Sequence, residues 1–524
     1  MRTRAIVSVA VLSCAVVSGG WLVQRGLITT AHTAPRKFDG VRLFQQVMAR
    51  VTEDYVDSVA AKGVYRKAVD GLMLELGDPH SAYLTADRLT RLNELTNGRY
   101  AGVGLQIDVR DGWITVVTPL AESPAAEAGI RTGDRVVEID GVSTHRWTSE
   151  EAQKALRGEP GTSVDLGIER FGMSAHIPFK VTRRLIHVRS VQHALMLRDG
   201  VGYLDLVSFS DSAAPELRRA IDSLRGVGMK SLLLDLRGDP GGLLDQGVSV
   251  SDLFLDPGQD IVSMRGRTPD VTRDYRDRAP QAWPDLIVGV LVDSGTASAS
   301  EIVAGALQDH DRAVIIGTTT YGKGSAQTVF AVPGGGLKLT IAKWFTPSGR
   351  SINRSHGPAV IDPDSAKARA AAESRFKTDS GRVVIGGGGI RPDLIVADSA
   401  GGIAALSLTR AVGTHASDFR DVLTTYALSL KGTGTIGGSD FPVTPAIRSE
   451  FLHRLAARQI FLDSATVKAT GPLLDRLVGQ QIERYLFGTK AEFSRALQND
   501  TMVQRAVDIL GKSTTQREAI NRAK

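Results

Sequence analysis

Thiol chemistry is nearly absent from this 524-residue chain: its one cysteine, Cys14, lies in the first segment. No disulfide can form within the chain, and a metal site built from several cysteines is excluded. An oxidising compartment is permitted but not required. Charge of one sign is scarce as well, with 63 Lys and Arg against 57 Asp and Glu spread along the chain. The formal net charge of +6 is too diffuse for a nucleic-acid footprint. Long apolar runs are limited to the 19 uncharged residues Ala5–Val23, which follow Arg2 and Arg4. That pattern is a secretory signal or an uncleaved anchor that keeps the N-terminus in the cytoplasm and sends the rest across. The length of the run, and the lack of an A-x-A site before Trp21, favour the anchor. Cys14 follows Val-Leu-Ser, a poor lipoprotein signal, and reads as an odd cysteine in an apolar helix.

With 42% hydrophobic residues, 23% charged and 55 glycines, the chain is globular and rich in turns. Its length implies about two to four domains. After the polar linker Thr29–Lys37, apolar residues such as Val41, Phe44, Val47, Met48 and Val51 recur at helical spacing as far as Asn97. A small helical domain over 37–98 is expected. The turn Gly77-Asp78-Pro79-His80-Ser81 interrupts it, and His80 is assigned a structural role.

From Tyr100 short alternating runs, glycine turns and one helix take over. Gly102-Val103-Gly104-Leu105 leads into a strand, SPAAEAGI precedes Gly133-Asp134, Asp140-Gly141 is a hairpin turn, and Ser149–Leu156 is helical. A glycine-rich backbone before an edge strand presents N–H groups to a peptide carboxylate, while the strand edge pairs with the peptide. These motifs, in this order over 99–185, resemble a PDZ domain, which makes Gly102, Val103, Gly104 and Leu105 the candidate peptide-binding residues. Arg157, just after the helix, is read by default as an exposed arginine without function.

Beyond Val201 strands and helices alternate. The buried strand Ser231–Leu236 ends in Arg237-Gly238-Asp239-Pro240-Gly241-Gly242, and the apolar run Leu286–Val292 gives way near Ser298 to a helical pattern. A second run, Ala313–Gly317, precedes a glycine-rich turn holding Lys323. Buried strand, turn and helix are how an open α/β sheet builds a site at its strand ends. Ser365–Lys377 is charged and alanine-rich, a helix or loop, and four glycines stand at Gly386–Gly389. From about 401 to 524 the pattern is helical, with no site of its own and two open roles, support of the fold or dimerisation.

Ser298 and Lys323 each have two readings. A serine hydroxyl needs a base, and neither a suitably placed histidine nor a G-x-S-x-G elbow accompanies Ser298. A neutral lysine can serve if its pKa falls from about 10.4 to about 7, roughly 4 kcal/mol of differential destabilisation of the ammonium. Against this, Ser298-Ala299-Ser300-Glu301 has the form of a helix capping box. Gly317–Lys323 likewise starts as a phosphate-binding loop, although Gly324 stands where Ser or Thr must reach magnesium.

The motifs Gly77-Asp78-Pro79-His80-Ser81, DLRGDPGG, GTASASEIVAGALQD, GTTTYGKGSAQ, LKLTIAKWFTPSGRSI and GIRPD together resemble the carboxyl-terminal processing (tail-specific) proteases, Ser/Lys peptidases with a PDZ domain. The resemblance runs from the helical domain to Asp393. It implies Ser298 as nucleophile, Lys323 as base 25 positions later and Gln327 as the residue that orients the lysine. Backbone N–H groups of Gly241, Gly242 and Ala299 would form the oxyanion hole, and Asp309 would support the site. The implied fold is α+β to α/β and multidomain: a signal or anchor at 1–24, the helical domain, the PDZ-like domain, a protease core at 186–400 with a crotonase/ClpP-like sheet, and a helical tail. It also implies a serine endopeptidase of the periplasm or another extracytoplasmic space, bound to the inner membrane through 5–23. No metal or cofactor is implied, and no nucleic acid. Substrate C-termini are the expected partners, with a homo-oligomer or an adaptor as further options. The alternative is a catalytically idle PDZ-type scaffold. Asp239, where the family commonly has Asn, and Thr296, for a frequent serine, are mild departures.

Overall fold

The computed structural model describes residues 39–354, 374–397 and 399–524. The segment 1–24 and most of Ser365–Lys377 therefore lie outside the described residues. Among those described, no helix is long and apolar enough to cross a membrane.

Two compact units are present, one ending at Asp78 and the other running from Pro79 to Lys524. In the first, helices Gly40–Asp54 and Ala61–Glu75 meet through Phe44 and Tyr65, whose ring centroids are 6.4 Å apart. Asp39 caps the first helix by accepting from Arg42 N–H. The expected helical domain reached residue 98, and the structure shortens it. Ala82–Thr85 forms a strand paired antiparallel with the long strand Gly335–Phe345, and this places helix Ala86–Asn97 in the second unit.

Within the second unit, a sheet takes the order 105–110, 113–119, 135–139, 163–169, 177–182. Its inward residues alternate as a half-buried strand requires: Val164, Leu166 and Ile168 point into the core with Ile114, Val116, Val136 and Ile139. Asp140 and Gly141 both have positive φ, the geometry of a tight hairpin between Arg135–Ile139 and Val142–Ser143. Leu105–Arg110 is left as an edge strand, next to helix Ser149–Leu156 with its Thr148–Glu151 capping box.

A second sheet has six strands, in the order 191–196, 201–206, 231–235, 287–292, 314–317, 394–395, parallel except at the first pair. Ser231–Asp235 and Ile287–Val292 are buried at every residue, as in a sheet covered on both faces. Helices Ala213–Gly226, Leu244–Asp252 and Ala299–Asp309 cover one face. The other is covered by the last two helices of the chain, Thr501–Gly511 and Gln516–Arg522, through Val503, Val507, Leu510 and Ile520. Gly289 supplies the room: a Cβ there would lie 3.0 Å from Leu510 Cδ1. The end of the tail is thus part of the core built on this sheet. Leu510→Ala is expected to cost about 2–5 kcal/mol, measured as a lowered midpoint in chemical denaturation.

The rest of the tail is a helical cluster around Phe451, Leu455, Leu474 and Ile482, and it holds the 105–182 sheet. Arg110 donates to Thr424 Oγ1 (2.5 Å), Asp111 N–H to Asp421 (3.1 Å), and Arg458 reaches Asp111 at 3.2 Å.

Candidate active site

Strand Ile287–Val292 runs out into a turn that is tied to the glycine turn 238–242. Asp293 Oδ1 accepts from Gly238 and Gly295 N–H, each at 2.9 Å, and Thr296 donates its hydroxyl to Leu236 O at 2.8 Å. Ala297 N–H donates to Asp239 O at 2.9 Å. At the end of this turn stands Ser298, with φ 57° and ψ −114°. A left-handed conformation at a residue with a Cβ costs of order 1–3 kcal/mol and persists only where its surroundings impose it. The surroundings here are Gly241, packed so closely that a Cβ on it would lie 2.5 Å from Ala297 O and 2.9 Å from Ser298 Cβ.

Ser298 and Glu301 keep the arrangement of a capping box, closed by its carboxylate side. Glu301 accepts from Ser298 N–H at 2.9 Å, but its own N–H goes to the Ser298 carbonyl at 2.9 Å, and the Ser298 hydroxyl makes no cap hydrogen bond. The half-buried hydroxyl is left available for other chemistry.

Glu301 also joins the serine turn to the lysine turn. It is fully buried, and its Oε2 accepts from both Ser298 N–H and Lys323 N–H, each at 2.9 Å. The backbone nitrogens of the two candidate residues are therefore no more than twice 2.9 Å apart. Oε1 takes the Thr320 hydroxyl at 2.5 Å and Gly322 N–H at 2.7 Å. Burial raises the Glu301 pKa above the ordinary glutamate value, while these four donors pull it back. Tyr321 N–H adds a bond to Thr296 O at 3.0 Å. Ser325–Val332, which begins two residues after the lysine, is a strand paired with Gly335–Phe345. A phosphate loop needs a helix N-terminus there, so that reading fails.

Gln327 donates to Ser325 Oγ (2.9 Å) and Thr340 Oγ1 (3.1 Å). Gly241 N–H donates to Asp239 Oδ1 at 2.7 Å, which corrects its assignment as an oxyanion donor. Gly242, whose Cβ would lie 2.3 Å from Phe209 O, and Ala299, the first residue of the helix, keep that role open. Asp309 forms a buried ion pair with Arg350 at 2.7 Å and accepts from Ser348 N–H at 3.0 Å, fastening the far end of the helix to the 346–350 turn.

A model of peptidase family S41 matches residues 200–367, and a PDZ domain model matches 115–170. A carboxy-terminal-processing protease of Bartonella bacilliformis is 37% identical over 341 residues, covering 64% of this chain and 77% of that protein. The chain belongs to the carboxy-terminal processing protease family. Carboxy-terminal processing protease CtpA of Bacillus subtilis is 35% identical over 328 residues, covering 62% of this chain and 68% of its own. Among solved structures, the photosystem II D1 C-terminal processing protease shares 26% identity over 71% of this chain and 92% of that one, at a TM-score of 0.37. The protein is a carboxy-terminal processing serine protease, a mixed α+β peptide hydrolase with a PDZ domain, and the idle-scaffold alternative has no support.

In this protease, Val103 and Gly104 sit ahead of the edge strand with carbonyls engaged by Ala125 and Leu120 N–H, at 3.0 and 2.9 Å. Among the described residues their own N–H groups have no protein acceptor, as a carboxylate loop requires. Gly102 ends the short strand paired with Arg184–His187, and Leu105 opens the edge strand. Gly104, at φ +79°, would place a Cβ 2.2 Å from Ser123 Cβ, so a side chain there displaces the loop. Arg157 is not the idle arginine expected from sequence. It pairs with Glu94 and lies over the Tyr100 ring at 5.0 Å, joining the end of the PDZ helix to helix Ala86–Asn97. Its partners are distant in sequence, and no local signal names them. Glu301 was visible as a capping residue, but its bonds to Thr320, Gly322 and Lys323 were not.

Proposed function

We propose that this protease cuts with Ser298 as nucleophile and Lys323 as general base. The observation that carries the reading is the single carboxylate oxygen of Glu301 that holds the backbone of both residues. Ser298 Oγ attacks the scissile carbonyl carbon as its proton passes to neutral Lys323 Nζ. The N–H groups of Gly242 and Ala299 stabilise the oxyanion. Collapse of the tetrahedral intermediate breaks the C–N bond, Lys323 returns the proton to the leaving amine, and water then hydrolyses the acyl-enzyme through the same lysine. Gln327 orients the lysine, and Asp309 supports the helix through Arg350.

The PDZ domain takes the C-terminus of a substrate by strand addition along Leu105–Arg110, with Val103 and Gly104 N–H on the carboxylate, and prefers apolar C-termini. Gly104→Val is expected to weaken binding of a peptide with a free apolar C-terminus at least roughly tenfold, read by fluorescence anisotropy. The doubly covered core sheet is consistent with a crotonase/ClpP-like arrangement. The layout runs from a membrane-targeting segment at 1–24 through the helical unit and the PDZ domain to a core that takes in the last two helices. Residues 5–23 would anchor the enzyme to the inner membrane with its active site in the periplasm or an equivalent space, where an oligomer or an adaptor would act with it. The test of substrate recognition is cleavage of one unfolded polypeptide with a free or an amidated apolar C-terminus. Amidation is expected to slow cleavage by wild type, and equal rates would overturn C-terminal recognition.

A further inference from the structure

Asp239 is fully buried between the glycine turn and the serine turn. Its carbonyl accepts from Ala297 N–H at 2.9 Å and from the Ser300 hydroxyl at 3.2 Å, so its backbone carries part of the alignment of Ser298. Its side chain is poorly matched to a negative charge. Oδ1 takes one donor, Gly241 N–H, while Oδ2 is buried without a hydrogen-bond partner.

Charged groups on the neighbouring elements do not offset this. On its own turn, Arg237 is bound to Asp235 and, at 2.7 Å, to Asp500. On the serine turn, Asp293 is occupied by the N–H groups of Gly238, Gly295 and Thr296. Glu301, on the helix, adds negative charge, as does Asp245 on the helix after the glycine turn. Lys323, on the facing turn, is the one other group there whose titration the mechanism uses, and it acts in the opposite sense.

We propose that Asp239 is a positioning residue that works as an uncharged acid, and that loss of its proton switches the active site off on the alkaline side. Ionisation would place a buried negative charge two residues from Gly241, on which Ser298 packs, and beside the place where the oxyanion develops. Burial pushes the Asp239 carboxyl up to about 8, with the Gly241 N–H and the Ser300 hydroxyl pulling against it. Neutral Asp has the shape of Asn, so the amide is the conservative replacement.

The inference rests on the Ser298/Lys323 reading, and the two fail differently. Activity persisting in Ser298→Ala sinks that reading, whereas the Asp239 inference is read only from the shape of the pH profile. In wild type, Lys323 makes kcat rise with pH, and Asp239 then makes it fall, approaching roughly tenfold per pH unit above its pKa. In Asp239→Asn the rising limb is expected to remain and the falling limb to vanish, within the pH range where circular dichroism shows both proteins folded. The rate of labelling by a serine-directed probe, which needs no peptide binding, is expected to show the same difference. A falling limb unchanged in Asp239→Asn overturns the proposal. So does a wild-type profile with no falling limb, which requires no variant at all. Should the amide fail to fold, Asp239→Ser, smaller and also uncharged, is expected to lose the limb in the same way, and its retention there counts equally against the idea.

Discussion

Alanine at position 298 is expected to lower proteolysis of an unfolded polypeptide by on the order of 10⁴-fold or more while the protein stays folded. Removing one oxygen from a half-buried side chain that makes no cap hydrogen bond leaves stability within about 0.5 kcal/mol. Activity and melting temperature, measured on the same sample, separate loss of chemistry from loss of fold. Lys323→Ala is expected to fall as far, and Lys323→Arg decides the role of the amine. A base must be able to lose its proton, and a guanidinium cannot, so arginine restores nothing. Were position 323 required only to hold a positive charge, arginine would rescue much of the rate. The same argument sets the sign of the acid limb: with Lys323 as the base, the wild-type rate is expected to rise with pH as the amine loses its proton.

Glu301→Gln is expected to have the next largest effect, although the bonds this residue accepts come from backbone N–H groups and the Thr320 hydroxyl. Each carboxylate oxygen accepts two donors, Thr320 and Gly322 at Oε1, Ser298 and Lys323 at Oε2. An amide replaces one oxygen with an NH₂ group, and either orientation turns that group toward two donors. Two buried donors left without an acceptor cost roughly 2–6 kcal/mol, some of which is recovered if the two turns separate. Separation is what would harm catalysis, since displacing a reacting group by about 1 Å costs on the order of 10²-fold. A lowered melting temperature, together with a kcat reduced at temperatures where the variant is still folded, is the expected result. Thr320→Val removes one of the four donors and should lose much less in both measurements. Equal losses in the two variants would show that the carboxylate does not act as a joint.

Much of the core was legible because its signals are local. The apolar runs ending at Leu236, Val292 and Gly317 became buried parallel strands, and GTASASEIVAGALQD gave a turn followed by a helix. Ser298 was ambiguous for a physical reason: a capping box and a nucleophile turn use the same residues in the same order. They differ in φ at one position, and that angle is imposed by Gly241, which comes from a different strand end. The Gly241 N–H is engaged by Asp239 Oδ1, a bond within its own turn that residue types alone do not reveal.

Sequence alone determined the family, the order of helical, PDZ and α/β segments, and which serine and which lysine to examine. Those properties follow from residue types and spacings along one stretch of chain. Only the tertiary structure decided that the last helices close the core sheet, that Arg157 is engaged by Glu94, and that Glu301 brings the two turns onto one oxygen. An apolar pattern states that a face must be covered, and a polar side chain that it must be paired. The partner in each case is chosen by packing between segments far apart in the chain, which no local pattern records.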